Sequence, residues 1–150
     1  MGKEVVILLA EDDEGHASLI IQNLKRAGIT NKFVHFKDGQ ETLDFLFQRG
    51  DGLQRSKEVL YTLLLDIRIP KVDGFEVIDQ VKSDIALKKI PIIMISTTDD
   101  PGVIKYCYKL GCKKYVVKPL RYEEFRSEII NLGQYLLEEV IPSLHSVYDQ

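Results

Sequence analysis

The sequence predicts an α/β fold: a doubly wound, five-stranded parallel sheet with helices on both faces. Three observations carry that expectation. Short, β-branched runs alternate with stretches whose apolar residues recur every three or four positions. The first run is apolar at every position rather than at alternate ones, the pattern of a strand covered on both faces. Four of the five runs also end on a polar side chain able to do chemistry: Glu11-Asp12, Asp66, Ser96 and Lys118.

The elements follow in order. Residues 5–9, Val-Val-Ile-Leu-Leu, form the first strand. Ala17, Ile20, Ile21, Leu24 and Ala27 then mark one face of a helix that Gly28 stops. Residues 33–36 make a short second strand, closed by the turn signal Asp38-Gly39, and residues 42–48 read as a helix with Leu43, Leu46 and Phe47 inward. Residues 50–58 are polar and contain Gly, as a surface loop would. The third strand, 61–65, runs into Asp66; the fourth, 92–95, is introduced by Pro91 and runs into Ser96; the fifth, 115–117, runs into Lys118-Pro119. Helices are expected over 75–83 and 101–110. The second has Asp99 or Asp100 as N-cap, Pro101 in its first turn and Gly111 as its stop. A long last helix starts near Tyr122.

The 150 residues suit one domain, with a core over about 4–130 and an extended last helix and tail over about 131–150. With 45% hydrophobic and 29% charged residues, the composition is that of a globular protein rather than a disordered one. The net charge of −3 and the lack of a basic stripe argue against direct binding of nucleic acid. The apolar run 5–10 is far short of the roughly 20 residues that span a bilayer. Glu11-Asp12-Asp13 stand where a signal peptide would be cleaved, and Val6 where a myristoylation motif needs Ser or Thr. A cytoplasmic protein outside the membrane is the expectation. Cys107 and Cys112 have no neighbouring His or second Cys pair for zinc, and read as two reduced, packed thiols, with a regulatory disulfide as the alternative.

In an open parallel sheet, ligands bind beyond the carboxyl ends of the strands. The strand order 2-1-3-4-5 would set strands 1, 3, 4 and 5 side by side and gather their polar ends in one crevice. Two carboxylates about 4 Å apart repel by about 4 kcal/mol at an effective dielectric of 20, so three need a cation. An all-oxygen site with room for water and phosphate suits Mg²⁺. Lys118 and the Ser96 hydroxyl can then hold phosphoryl oxygens while Asp66 acts as the nucleophile. Singly, these residues have ordinary explanations: Glu11-Asp12 as a helix cap, Asp66 or Ser96 as solvated loop residues, Lys118-Pro119 as a turn. Their joint placement at separate strand ends favours the chemical reading.

The segments Ile7-Leu-Leu-Ala-Glu-Asp-Asp13, Leu64-Leu-Asp-Ile-Arg-Ile-Pro-Lys-Val-Asp-Gly74, Pro91-Ile-Ile-Met-Ile-Ser96 and Tyr115-Val-Val-Lys-Pro119 resemble the receiver domain of two-component response regulators, a flavodoxin-like fold. The resemblance covers nearly the whole chain, and the Asp-x-x-x-Pro-x-x-Asp-Gly stretch from Asp66 is its most specific part. It implies that Glu11, Asp12 and Asp66 hold Mg²⁺ together with the main-chain carbonyl of Arg68. It implies that Asp66 takes phosphate from a sensor histidine kinase, and that Ser96 and Lys118 grip the phosphoryl group. Tyr115 would be the aromatic that turns inward as Ser96 is drawn to the phosphate, or else simply a half-buried aromatic on an edge strand. Pro119 resembles the cis-proline that follows the family's lysine. Asp13, one position past the acidic pair, is left out of the metal shell. Arg68 and Thr97 depart from the usual pattern, and put the lifetime of the phosphorylated state and access by small phosphodonors in question. The absence of an output domain, the loop before strand 3 and the 132–144 stretch are similar to small regulators that partner bacterial phytochrome kinases.

In the last helix Phe125, Ile129, Leu132 and Leu136 form a stripe that would dock on the sheet, while Ile130, Leu137 and Ile141 form a second. Surplus apolar surface of that kind predicts a homodimer through the last helix and tail, with a tail folded back on its own core as the alternative. Two other functions compete. A non-phosphorylated pseudo-receiver would lack Asp66 or Lys118. A haloacid-dehalogenase-type phosphohydrolase would need a carboxylate where Arg68 stands, and an acceptor early in the chain. A flavodoxin-like cofactor carrier would want a Gly-, Ser- or Thr-rich loop in place of Glu11-Asp12-Asp13. His16, His35 and His145 fall in helix, strand and tail, with no nucleophile elbow for a hydrolase triad.

Overall fold

The computed structural model describes residues 2–148; of the tail expected over 131–150, Asp149 and Gln150 lie outside them. The order of elements is β1 (Glu4–Ala10), α1 (Glu14–Arg26), β2 (Phe33–Phe36), α2 (Gly39–Leu46), β3 (Val59–Leu65), α3 (Gly74–Lys82), β4 (Ile92–Ser96), α4 (Pro101–Leu110), β5 (Lys114–Val117) and α5 (Tyr122–Tyr135). A π-helical turn (Leu136–Val140) and α6 (Ile141–Tyr148) continue α5. All four strand pairings are parallel, and the sheet order is β2-β1-β3-β4-β5, as expected.

Each face of the sheet has its own core. On one, Leu8, Leu63, Leu65 and Met94 pack under Leu43 and Leu46 of α2, Val77, Ile78 and Val81 of α3, and Cys107 of α4. On the other, Ile7, Leu9, Leu64, Ile93 and Ile95 pack under Ile20 and Leu24 of α1 and Phe125, Ile129 and Leu132 of α5. Successive strand residues therefore feed opposite cores, and β1, β3 and β4 read as continuous apolar runs. Each fully buried Leu or Ile contributes about 1.5–3 kcal/mol of transfer free energy. Both cysteines are free and buried, and burial pushes the Cys112 thiol up to about 12.

Helix starts are set by aspartates. Asp13, Asp38, Asp73 and Asp100 each accept a backbone N–H from the first turn of α1, α2, α3 and α4. At α2 the Glu41 carboxylate also accepts the N–H of Lys37, the residue before the cap. These bonds start the helix at Gly39, three residues before the expected 42. The α4 bounds agree with expectation, and Gly111 ends the helix in the left-handed region at φ 112°.

The last helix is longer than one regular α-helix allows. Pro142 has no N–H, and its ring would collide with a carbonyl one turn earlier. The chain widens into the π turn just before it, where the Ile141 N–H reaches back to the Leu136 carbonyl. This keeps Leu136, Val140 and Leu144 in register with the docked stripe, and all three are buried. The tail thus folds back over its own core. Of the second stripe, only Leu137 counts as exposed, at 37%, while Ile130 and Ile141 are half-buried. Gly133 permits the close approach of α5 to α1, since a Cβ there would lie 2.5 Å from Ala27 Cβ.

One expectation fails. Among the described residues no peptide bond is cis, so the Lys118–Pro119 bond is trans. Trans is the intrinsically favoured isomer by about 0.5–1 kcal/mol, and the chain beyond it leads outward to Leu120, which is 98% exposed.

Candidate functional site

The carboxyl ends of β1, β3, β4 and β5 meet at one rim, and the parallel ladder aligns them. The Asp66 N–H donates to the Ala10 carbonyl (3.1 Å), the Lys118 N–H to the Ser96 carbonyl (2.7 Å), and the Glu11 N–H to the Phe36 carbonyl (3.0 Å). Each functional side chain therefore leaves the sheet one residue past a strand's pairing, or on its last residue in the case of Ser96. The turn after β3 is closed by a Gly74 N–H bond to the Ile67 carbonyl (2.7 Å). There a Cβ on Gly74 would lie 2.4 Å from the Asp66 carbonyl oxygen, so only glycine lets α3 start this close to the acceptor loop.

Glu11, Asp66, Ser96 and Lys118 are all buried or nearly so, Asp66 being the most accessible at 9%. Lys118 Nζ lies between the two carboxylates, donating to Glu11 Oε1 through a short bond and to Asp66 Oδ2 at 2.8 Å. Asp12 is exposed, yet one ligand oxygen from each of Glu11, Asp12 and Asp66 falls within 4.8 Å of the other two. Asp13 caps α1 instead, its Oδ1 accepting the His16 N–H at 2.9 Å. The Arg68 N–H donates to Asp66 Oδ1 at 3.4 Å while the residue itself is exposed.

The electrostatics follow from burial. Desolvation raises the Glu11 pKa above the ordinary carboxylate value; Lys118 lowers it in part and the neighbouring Asp66 charge adds to the rise. For Lys118, burial favours the neutral amine, but the Asp66 charge and the bonds to Asp66 and Glu11 outweigh it and hold the ammonium above the ordinary lysine value. Lys118 is charged and shared by two buried carboxylates.

Three carboxylates against one ammonium leave a formal charge of −2, which a divalent cation on hard oxygen ligands would balance. A cation would compete with a proton for Glu11. In the metal-free protein the raised Glu11 pKa gives a stability contribution that is present below the unfolded value of 4.5 and lost as pH rises through the higher folded value. A divalent cation held by Glu11 would need its carboxylate ionised, so the rise in melting temperature that such a cation produces should grow across that same window. Thermal melts with and without Mg²⁺ at a series of pH values check this; a metal effect that shrinks as pH rises would contradict it.

Ser96 Oγ accepts the Thr98 N–H at 3.3 Å, and the Tyr115 hydroxyl donates to the Thr98 carbonyl at 2.7 Å. The strand-end hydroxyl and the β5 aromatic thus hold the same short turn between β4 and α4. Burial raises the Tyr115 pKa, with a bond to Ser96 acting in the other direction.

All the expected side chains converge: Glu11, Asp12, Asp66, Ser96, Lys118 and Tyr115 stand around one rim. Two histidines that sequence reasoning passed over are also there. His16 Nδ1 lies 3.5 Å from Lys118 Nζ, with its ring 5.8 Å from that of Phe125. His35 Nε2 lies 2.6 Å from the Glu11 carbonyl oxygen. Their signal in the sequence is positional: His16 is in the first turn of α1, and His35 is on the strand beside β1.

Comparison with known proteins agrees with this arrangement. The model of the response regulator receiver domain matches residues 7–130. The probable methanogenesis regulatory protein FilR2 of Methanothrix harundinacea is 34% identical over 88% of this chain and 83% of its own length. Two regulators are among the solved structures with a TM-score of 0.80. One is the Mn²⁺-bound form of response regulator Rcp1, a Synechocystis protein, 28% identical over 89% of this chain and 95% of that one. The other is the phosphorylated cyanobacterial phytochrome response regulator RcpA, 30% identical over 92% of this chain and 96% of that one. With the matched segment spanning most of the chain and the acidic rim in place, the protein belongs to the response regulator receiver domain family.

Proposed function

We propose that this chain is a phosphoacceptor switch of two-component signalling. An Asp66 carboxylate oxygen attacks the phosphorus of a phosphohistidine on a sensor histidine kinase. The new O–P bond forms as the P–N bond breaks, and the released imidazole takes up a proton. The observation that carries this reading is Lys118 held between Glu11 and Asp66 at the strand ends, beside the exposed Asp12. Glu11, Asp12, Asp66 and the main-chain carbonyl of Arg68 would hold Mg²⁺, which supplies charge neutralisation for the incoming phosphoryl group. Lys118 then exchanges Glu11 for a phosphoryl oxygen, and the Ser96 hydroxyl donates to another. Drawing Ser96 to the phosphate would loosen the turn it shares with Tyr115, a direct way for phosphorylation to change the β4–α4 surface.

The protein then serves as a signalling partner whose acyl phosphate hydrolyses in place, not as an enzyme turning over a separate substrate. The similarity to phytochrome regulators supports a phytochrome-type histidine kinase as donor, in the cytoplasm; among the described residues no helix is long and apolar enough to cross a membrane. Exposed Leu137, with half-buried Ile130 and Ile141 beside it, supports a homodimer through the last helix and tail, although the fold-back of the tail has reduced the apolar area on offer. Sedimentation should show a concentration-dependent dimer that Leu137→Glu weakens; a monomer at all concentrations would rule the dimer out. The donor is tested by mixing the chain with a labelled, autophosphorylated phytochrome kinase. Label should move to this chain in Mg²⁺ and stay on the kinase in EDTA; label that never leaves the kinase in Mg²⁺ would contradict the assignment.

A further inference from the structure

The acidic turn after β1 carries two of the three clustered carboxylates, and it is anchored from outside the set of strands that bears them. β2 grips it twice: the Phe36 carbonyl accepts the Glu11 N–H at 3.0 Å, and His35 Nε2 meets the Glu11 carbonyl at 2.6 Å. A carbonyl oxygen can only accept, so Nε2 carries the proton and the imidazole is the donor. Both polar groups of the Glu11 peptide are thereby fixed to one neighbouring strand.

The side chain adds a third restraint, since Glu11 Oε2 accepts the Asp13 N–H at 3.1 Å. Without His35, the buried Glu11 carbonyl would lose a partner, and the peptide joining Glu11 to Asp12 could rotate. Asp12 is exposed, and among the described residues its carboxylate has no hydrogen-bond or ion-pair partner to hold its direction. Its aim toward Asp66 therefore depends on the peptide preceding it, and His35 holds that peptide.

We propose that His35 is a positioning residue for the metal centre: its Nε2–H orients the Glu11-Asp12 turn, so that the two carboxylates converge with Asp66 on one cation. This rests on the phosphoacceptor reading in that the same cation serves phosphorylation, but it is read out by metal affinity alone. Groups that orient metal ligands from behind typically carry about 10–100-fold in affinity.

The experiment measures Mn²⁺ binding by the loss of the free-ion EPR signal, in wild type, His35→Leu, His35→Gln and His35→Asn. Gln can set its amide nitrogen near the place of Nε2; Asn is too short, and Leu has no donor. His35→Leu and His35→Asn should bind Mn²⁺ about 10–100-fold more weakly, with His35→Gln within about threefold of wild type. Wild-type affinity in both Leu and Asn variants overturns the proposal, as does a Gln variant as weak as Asn. If His35→Leu does not fold, the Gln and Asn pair decides by itself. Failure of the phosphoacceptor reading looks different: wild type would bind Mn²⁺ with the same His35 dependence yet accept no phosphate.

Discussion

Lys118→Met should destabilise the metal-free protein by about 3 kcal/mol or more, even though methionine fills nearly the same volume. Removing one member of a buried ion pair costs about 3–5 kcal/mol, because the partner is left charged without a counter-ion. Here two carboxylates lose their partner at once, Glu11 at 1% exposure and Asp66 at 9%. Two features identify the cause. The loss should shrink at acid pH, where Glu11, already held above the ordinary carboxylate pKa by burial, takes a proton and needs no counter-charge. It should also shrink in Mg²⁺, because the cation replaces the missing positive charge. Urea unfolding of both proteins at neutral and acid pH, with and without Mg²⁺, measures all of this. A variant as stable as wild type at neutral pH without metal would mean that Lys118 does not neutralise this rim. Acceptance of phosphate should fail in the variant under every condition, because among the described residues no other cation is buried to take the phosphoryl oxygen that Lys118 would hold.

Gly74→Ala should be nearly as damaging, for a steric reason. The added Cβ would sit 2.4 Å from the Asp66 carbonyl oxygen and 2.7 Å from Ile67 Cα, both backbone atoms in the acceptor loop. A flexible side chain could swing away; this loop can relieve the clash only by moving Asp66 or lifting α3. The expected cost is about 1–3 kcal/mol, together with weaker metal binding as the Asp66–Arg68 segment shifts. Gly52→Ala is the matched control, since its Cβ would meet nothing within 4 Å, and should change stability by less than about 0.5 kcal/mol. Equal melting temperatures for Gly74→Ala and wild type would contradict this picture of the loop.

The fold was legible because burial on two faces leaves a plain mark in sequence. β2 and α4 fall where the apolar runs and Pro-Gly punctuation set them, and the four polar strand ends converge as the strand order requires. Boundaries that depend on side-chain capping were less visible: Asp38-Gly39 reads as a turn, yet Asp38 and Glu41 together begin α2 there. The π turn answers to Pro142, a local steric cause that the apolar spacing of the last helix does not register. The trans Lys118–Pro119 bond differs from the family's habit, and nothing local in the sequence distinguishes the two isomers. His35 and His16 were missed because contacts between side chains and backbone of separate elements have no periodicity. They appear only once β2 lies beside β1 and α1 lies over the strand ends.

On this mechanism Asp66 accepts a phosphoryl group only with a divalent cation bound. The most direct test is intact-mass measurement after incubation with a small phosphodonor and Mg²⁺, followed by borohydride trapping and peptide mapping. Wild type should gain one phosphoryl group that maps to Asp66, with no gain in EDTA or in Asp66→Asn. A phosphoryl group that persists in Asp66→Asn, or wild type left unmodified by both the donor and a phosphorylated histidine kinase, would contradict it.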